Sequence, residues 1–256
     1  MATSLLVSGA SAALGATRGR GTAFTARAGG MLGDGARVPA VSAVLLVAGR
    51  RALKALRGLA AQCARAGADE IIVVLWGMDV TAAEATALAA GLEPTSVMLV
   101  HAPTERGVRH PPDAFNLGLE RASGALVALV DPFWLDPSSR GSSRIRTTSA
   151  ARPRMPPGAL ARAAARAGSH GAPTHASARA YEELALAGAP VLLFATAAEL
   201  RAANTTGAGP LDERFEATDG GVHAAAAELR CRLWGTAAAG LGAVSYTHLR
   251  AHETDS

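Results

Sequence analysis

The stretch Ala125-Leu-Val-Ala-Leu-Val130, followed at once by Asp131-Pro-Phe-Trp-Leu-Asp-Pro137, decides the fold. Its residues are apolar on both faces, which is typical of an inner strand of a parallel sheet, and the proline-containing turn ends the strand. In open α/β sheets, ligands bind just beyond the carboxyl ends of such strands. The carboxylate of Asp131 is therefore predicted to meet a ligand such as a nucleotide ribose or a divalent cation.

Strand and helix signals alternate on the amino-terminal side of this stretch. Leu53, Leu56, Leu59 and Cys63 recur at helical spacing and Gly67 ends that helix. A second helix, which carries Leu88, is predicted to begin at Asp79 or Thr81 and to end near Gly91, and a third is predicted between residues 111 and 124. Strands are predicted at 41–48, 70–75, 97–100, 125–130 and 189–195, with later helices at 158–168 and 224–234. This alternation predicts an α/β fold, with a Rossmann-like, mostly parallel sheet flanked by helices.

Composition and charge narrow the classes of function. The chain has 256 residues, 49% hydrophobic content and a net charge of +4, which suits one large domain. The mild charge favours a phosphate-bearing small ligand or a solvated surface over nucleic acid, and no run approaches the roughly 18 apolar residues of a membrane span. Cys63 and Cys231 are expected to be buried small hydrophobes. Glu228 and Arg232, one helical turn apart, predict an exposed ion pair.

The two ends and one internal segment differ from the body of the chain. Residues 1–37 are expected to be disordered or transit-like, because the first 33 contain Arg but no Asp or Glu. The body, 38–243, is interrupted at 137–157 by a polar, basic, Pro- and Ser-rich stretch that predicts a flexible loop. Residues 244–256 closely resemble the translation of a sequencing adapter, so we expect a non-native tail and a truncated chain.

A competing interpretation starts at the amino terminus. Leu5-Leu-Val-Ser-Gly9-Ala-Ser-Ala-Ala-Leu-Gly15 is similar to the opening of a short-chain dehydrogenase, in which a glycine-rich turn lets backbone amides reach the pyrophosphate of NAD(P). Ala13 stands where that motif has its middle glycine. This alternative predicts an NAD(P)-dependent enzyme fragment whose fold depends on residues 1–33.

Two motifs in the body carry a more extensive resemblance. The first is Asn116-Leu-Gly-Leu-Glu-Arg-Ala-Ser-Gly124 leading into the strand before Asp131, and the second is Leu211-Asp-Glu-Arg-Phe215. From residue 41 to 243 the chain resembles a GT-A-type glycosyltransferase of the family-2-like superfamily. The spacing and the segment 61–65 are also similar to glycosyltransferase family 49, the LARGE-like glucuronyltransferases.

The resemblance implies a donor site for a nucleoside diphosphate sugar. Asp131 would be the first acid of the Asp-x-Asp motif that holds the sugar nucleotide with Mn²⁺ or Mg²⁺, although Phe133 replaces the second acid. Asp79, after the 70–75 strand, and Asn116 would also contact the donor. His223 is a candidate for a further metal ligand, since imidazole suits Mn²⁺-like ions; the alternative is a structural role, which is commoner for a lone histidine.

The resemblance also implies an acceptor site. Asp212 and Glu213 match the acceptor-side signature, and Asp219 would be the base that deprotonates the acceptor hydroxyl. These residues predict transfer of a sugar to a glycan or protein-linked acceptor, in a Golgi/secretory or cytoplasmic location. The alternative within the same fold, supported by Phe133, is a catalytically inactive domain that binds or scaffolds.

Overall fold

The structure is a computed structural model, and it describes residues 25–28, 40–78, 96–102, 110–131, 154–169, 173–204, 209–212 and 221–238. Within these residues, six strands form one sheet flanked by helices. The strands are β1 (Thr25–Ala28), β2 (Val41–Ala48), β3 (Glu70–Trp76), β4 (Ser96–Ala102), β5 (Leu126–Val130) and β6 (Val191–Thr196). The helices are α1 (Gly49–Ala66), α2 (Pro111–Arg121), α3 (Ala159–Ser169), α4 (Pro173–Leu186), α5 (Ala197–Ala203) and α6 (Gly221–Ala238).

The sheet is mixed but mostly parallel, which confirms the predicted fold class. Its strand order is β1-β4-β3-β2-β5-β6, and the four inner strands are parallel. The outer strands β1 and β6 are antiparallel to their neighbours. Four residues of the segment 1–37 therefore pair with β4 at the sheet edge; the rest of that segment, including the dehydrogenase-like motif, lies outside the described residues.

The helices α1 and α2, which connect parallel strands, cover opposite faces of the sheet. The chain passes from β2 through α1 to β3 in one direction, and from β4 through α2 to β5 in the other. Because such crossovers are right-handed, α1 and α2 lie on opposite faces. Helix α3 packs against α1 and β2, and α6 packs against α2, β6 and α4.

Glycine at position 118 lets α2 lie close to the sheet. A methyl group there would stand 2.5 Å from Val44 Cγ1 and 2.8 Å from Val74 Cγ2, closer than real methyl groups approach. These contacts explain, in physical terms, the Asn-x-Gly spacing within the predicted helix 111–124. The helix itself ends earlier, at Arg121.

A buried carboxylate locks the amino ends of the parallel strands. Glu70 is 1% exposed and accepts hydrogen bonds from Ser42 Oγ at 2.6 Å and from both the backbone N–H and Oγ of Ser123 at 2.9 Å. Ser42 Oγ also accepts from the N–H of Gly124 at 2.8 Å. The network joins β2, β3 and the turn into β5, so this edge of the sheet is stabilised by structural hydrogen bonds.

Other predictions have mixed outcomes. The predicted helices 158–168 and 224–234 appear as α3 and α6, whereas α4 and α5 were not anticipated. At the end of the predicted loop 137–157, Met155 is only 3% exposed and donates its N–H to Gln62 Oε1 at 3.3 Å, so this end of the segment is packed. Cys63 is buried as expected, but the expectation for Cys231 was wrong because its helix face is exposed to solvent. No described helix is long and apolar enough to cross a membrane.

Candidate functional site

Asp131 and His223 meet at the carboxyl edge of the sheet. Asp131 follows β5 directly, and its backbone N–H donates to the carbonyl of Pro190 at 3.0 Å. His223 lies in the first turn of α6, and its Nε2 is 3.4 Å from Asp131 Oδ1. The side chain of His223 is 46% exposed and that of Asp131 is 23% exposed, so solvent or a ligand can reach both. The two residues predicted as metal ligands are thus brought together from positions far apart in the chain.

A β-bulge lies beside this pair. The register of β5 and β6 shifts between Leu129 and Val130, which leaves Leu192 without an opposite residue. The carbonyl of Leu192 accepts a hydrogen bond from the guanidinium of Arg230, which is 6% exposed and lies 4.9 Å from the ring centre of Tyr181. Burial raises the pKa of Tyr181, and the positive charge of Arg230 partly opposes that rise. Bulges commonly redirect the end of a strand next to a functional site.

Asn116 fastens the second acidic motif to α2. Its Nδ2 donates to the carbonyl of Leu211 at 3.0 Å, and its Oδ1 accepts from the N–H of Leu211 at 3.0 Å. Asn116 is fully buried and Leu211 is 1% exposed, so the two hydrogen bonds satisfy both backbone polar groups of Leu211 in place of water. Asn116 therefore positions the residues leading to Asp212, and its contact with a donor stays a prediction.

Three further contacts hold the turn 209–212. Gly209 has φ of 121°, and a methyl group there would lie 2.2 Å from the Asn116 side chain, so only glycine fits. The N–H of Gly209 donates to Asn204 Oδ1 at 3.0 Å. Arg232 donates to the carbonyl of Pro210 at 2.5 Å. Asp212 thus follows a turn that is fixed on both sides.

Helix α6 supports both parts of the site. Its first turn carries His223, and Arg232 reaches the 209–212 turn from the fourth turn, about 13 Å further along the axis. The predicted exposed ion pair between Glu228 and Arg232 is confirmed at 2.6 Å, with both side chains about one-third exposed. Arg232 also donates to the carbonyl of Ala203 at 3.1 Å. The pair therefore does more than solvate the helix surface, because it orients the arginine that holds the turn.

A divalent cation fits the donor set of Asp131 and His223. Two ligands at right angles, each about 2.1 Å from an ion, lie about 3 Å apart, close to the observed 3.4 Å separation. Within the described ranges, no group of three His, Cys, Asp or Glu side chains converges on one point. An ion bound mainly by diphosphate oxygens and water needs only one or two protein ligands, which is the usual case for Mg²⁺.

The remaining predicted site residues lie outside the described part of the chain. These are Asp79, Glu213 and Asp219. The sequence interpretation missed Arg230, Gly209 and Asn204, whose roles depend on contacts between distant segments. For Gly209 a local signal existed, because the Gly-Pro dipeptide is typical of a turn.

Comparisons of the chain with known protein families, curated proteins and solved structures found no match in any of the three. The fold and the geometry define an α/β domain that carries a carboxylate–imidazole pair at the carboxyl edge of its parallel strands.

Proposed function

We propose that this domain is a glycosyltransferase that binds a nucleoside diphosphate sugar at the carboxyl edge of its sheet and transfers the sugar to a hydroxyl acceptor, such as a glycan or a protein-linked group. The observation that carries the proposal is the meeting of Asp131 and His223 just beyond β5. This is the edge at which open α/β sheets bind nucleotides. The GT-A resemblance of the two motifs supports the same assignment.

The proposal divides the work between two sets of residues. Asp131 and His223 would hold Mn²⁺ or Mg²⁺, which would neutralise charge on the departing diphosphate. Asp212, presented by the turn that Asn116 fixes, would face the acceptor. By the resemblance, Glu213 would assist there and Asp219 would remove the proton of the acceptor hydroxyl, while Asp79 would contact the nucleotide.

Calorimetric titration of the full chain with UDP and Mn²⁺ tests the donor site. We expect binding by the wild-type protein and a loss of about 10- to 100-fold in Asp131→Asn, because a charge-assisted contact contributes roughly 1.5–3 kcal/mol. The matched control is Asp69→Asn. Asp69 accepts the N–H groups of Ala40 and Val41 at the opposite edge of the sheet, so its variant should bind UDP normally. Equal affinity of Asp131→Asn and wild type would reject the role of Asp131.

A second candidate is nucleotide binding without transfer, which the replacement of the second motif acid by Phe133 favours. The two candidates differ in turnover. The transferase predicts slow hydrolysis of a UDP-sugar by the purified protein, measured as release of UDP, and loss of that release in Asp131→Asn. Binding of UDP with no release above the level of that variant would favour the binding domain.

A further inference from the structure

Helix α1 exposes a row of positive charge. Lys54, Arg57 and Arg65 are all exposed and are separated by three and eight residues, which places them on one face of the helix. The row spans about 16 Å from Lys54 to Arg65, from the rise of 1.5 Å per residue. Helix α1 contains no Asp or Glu at any position.

The segment 154–158 and helix α3 extend this charge. The N–H of Gly158 donates to the carbonyl of Arg65 at 2.9 Å, which sets the segment along the carboxyl-terminal half of α1. Arg154 and Arg162 are exposed on either side of that contact. We call the five side chains together the basic face: Lys54, Arg57, Arg65, Arg154 and Arg162.

The two stretches of sequence that supply the basic face contain no acidic residue. The sequence has no Asp or Glu in residues 35–68 or in residues 137–181, the two stretches that supply this face. Within the described part of the chain, no carboxylate forms an ion pair with Lys54, Arg65 or Arg154. The opposite face of the sheet carries acids on α2 and α6, including Glu120 and Glu228. Helix α4, which packs against α3, carries Glu183 in an ion pair with Arg166, so among the described residues the unbroken positive charge is confined to α1 and the segment 154–162.

We propose that the basic face docks the domain on an anionic lipid bilayer. Charge complementarity with acidic headgroups supplies the attraction, and a layer of headgroups can meet exposed basic side chains from α1, α3 and the segment between them. Duplex nucleic acid is read in its major groove by an inserted helix or β-ribbon, and α1 is packed along the sheet. Single strands need aromatic stacking platforms, and residues 49–66 and 154–169 contain no Phe, Trp or Tyr.

Docking of this kind is electrostatic, without insertion into the hydrocarbon. Among the described residues, the one large apolar side chain that is strongly exposed is Leu186, at the end of α4 and not on the basic face. Adsorption must therefore depend on headgroup charge and weaken with salt. It also leaves the Asn116-bound turn free, because α2 lies on the opposite face of the sheet from α1.

Sedimentation of the full chain with vesicles tests the proposal. We expect the wild-type protein to bind vesicles of phosphatidylcholine mixed with phosphatidylserine, to ignore pure phosphatidylcholine, and to be released when salt rises from about 0.1 to about 0.5 M. Each surface charge near an anionic bilayer changes partition about fivefold, so K54Q/R65Q should weaken binding about 20-fold. Adding R154Q/R162Q should remove detectable binding.

The matched control is R121Q/R201Q, which removes the same charge from exposed positions on α2 and α5. It should lower vesicle binding by no more than about threefold. Thermal unfolding verifies that each variant is folded. Equal losses in the control and in K54Q/R65Q, binding to neutral vesicles, or no vesicle binding by wild type would overturn the proposal. So would tighter binding to a mixed-sequence RNA or DNA that the same α1 substitutions abolish, because nucleic acid would then be the partner.

Discussion

Substitution of Asn116 by alanine offers the most direct test of how the two halves of the candidate site are joined. Both hydrogen bonds to Leu211 would be lost, and the backbone groups of a residue that is 1% exposed would keep no partner and gain no water. An unpaired buried backbone group costs about 1–3 kcal/mol, so we expect Asn116→Ala to lower the free energy of unfolding by about 2–5 kcal/mol. The loss would be smaller than the upper value if the turn 209–212 moved into solvent, because water would then pair with the backbone groups of Leu211.

Urea unfolding followed by circular dichroism measures this loss as a lower midpoint at unchanged slope. Asn204→Ala is a matched control, because it removes one partly buried hydrogen-bond acceptor that also holds this turn. That acceptor is Asn204 Oδ1, which pairs with the N–H of Gly209. Its expected cost is about 1 kcal/mol. A loss below about 1 kcal/mol in Asn116→Ala, or one equal to that of Asn204→Ala, would refute the argument that the buried N–H and carbonyl of Leu211 depend on Asn116.

Three other changes test neighbouring parts of the fold. Gly118→Ala should destabilise by about 1–3 kcal/mol in the same urea experiment, because its methyl group would overlap Val44 and α2 would have to lift from the sheet; an unchanged midpoint would contradict this close approach. Glu70→Gln should cost about 2–3 kcal/mol, since an amide NH₂ would face donors that now meet a carboxylate, and a neutral effect would show that the network is dispensable. Burial raises the pKa of Cys63 to about 12, so below that pH its reactive thiolate is scarce. Mass spectrometry after reaction with iodoacetamide at about pH 8 should therefore find the label on exposed Cys231 alone in the native protein. After unfolding, both cysteines should be labelled. Rapid labelling of Cys63 in the native protein would count against its burial.

The sequence predicted the parallel part of the sheet well, because each inner strand is a continuous apolar run that ends at glycine, proline or a charged residue. Strand β2 begins and ends at the predicted residues, and α1 ends at the predicted Gly67, whose φ of 101° explains the need for glycine. Helix α4 was missed because its residues are Ala-rich and polar, with weak apolar periodicity over Pro173–Leu186. The antiparallel direction of β6 was not predictable, since an apolar run carries no sign of its direction.

The candidate site was predicted only where a carboxylate follows a strand. Asp131 could be found that way. His223 was named as a metal ligand from the chemistry of imidazole alone, and its contact with Asp131 exists only once α6 is packed beside β5. The contact of Asn116 with the backbone of Leu211, 95 positions away, was not predicted, because no local pattern encodes it. Long-range pairing of this type depends on tertiary structure alone.

The β-bulge at Leu192 of β6 allows a distant residue to influence the direction of β5, the strand that precedes Asp131. Arg230 holds the bulge from α6, the helix whose first turn contacts Asp131 through His223. A small shift of α6 along its axis would therefore change two things together: the curvature of the strand at the bulge and the position of the imidazole that faces Asp131. Arg230→Leu, about two turns from His223, should therefore change the orientation of Asp131 without touching it, and engineering of ligand preference could begin at that distant guanidinium.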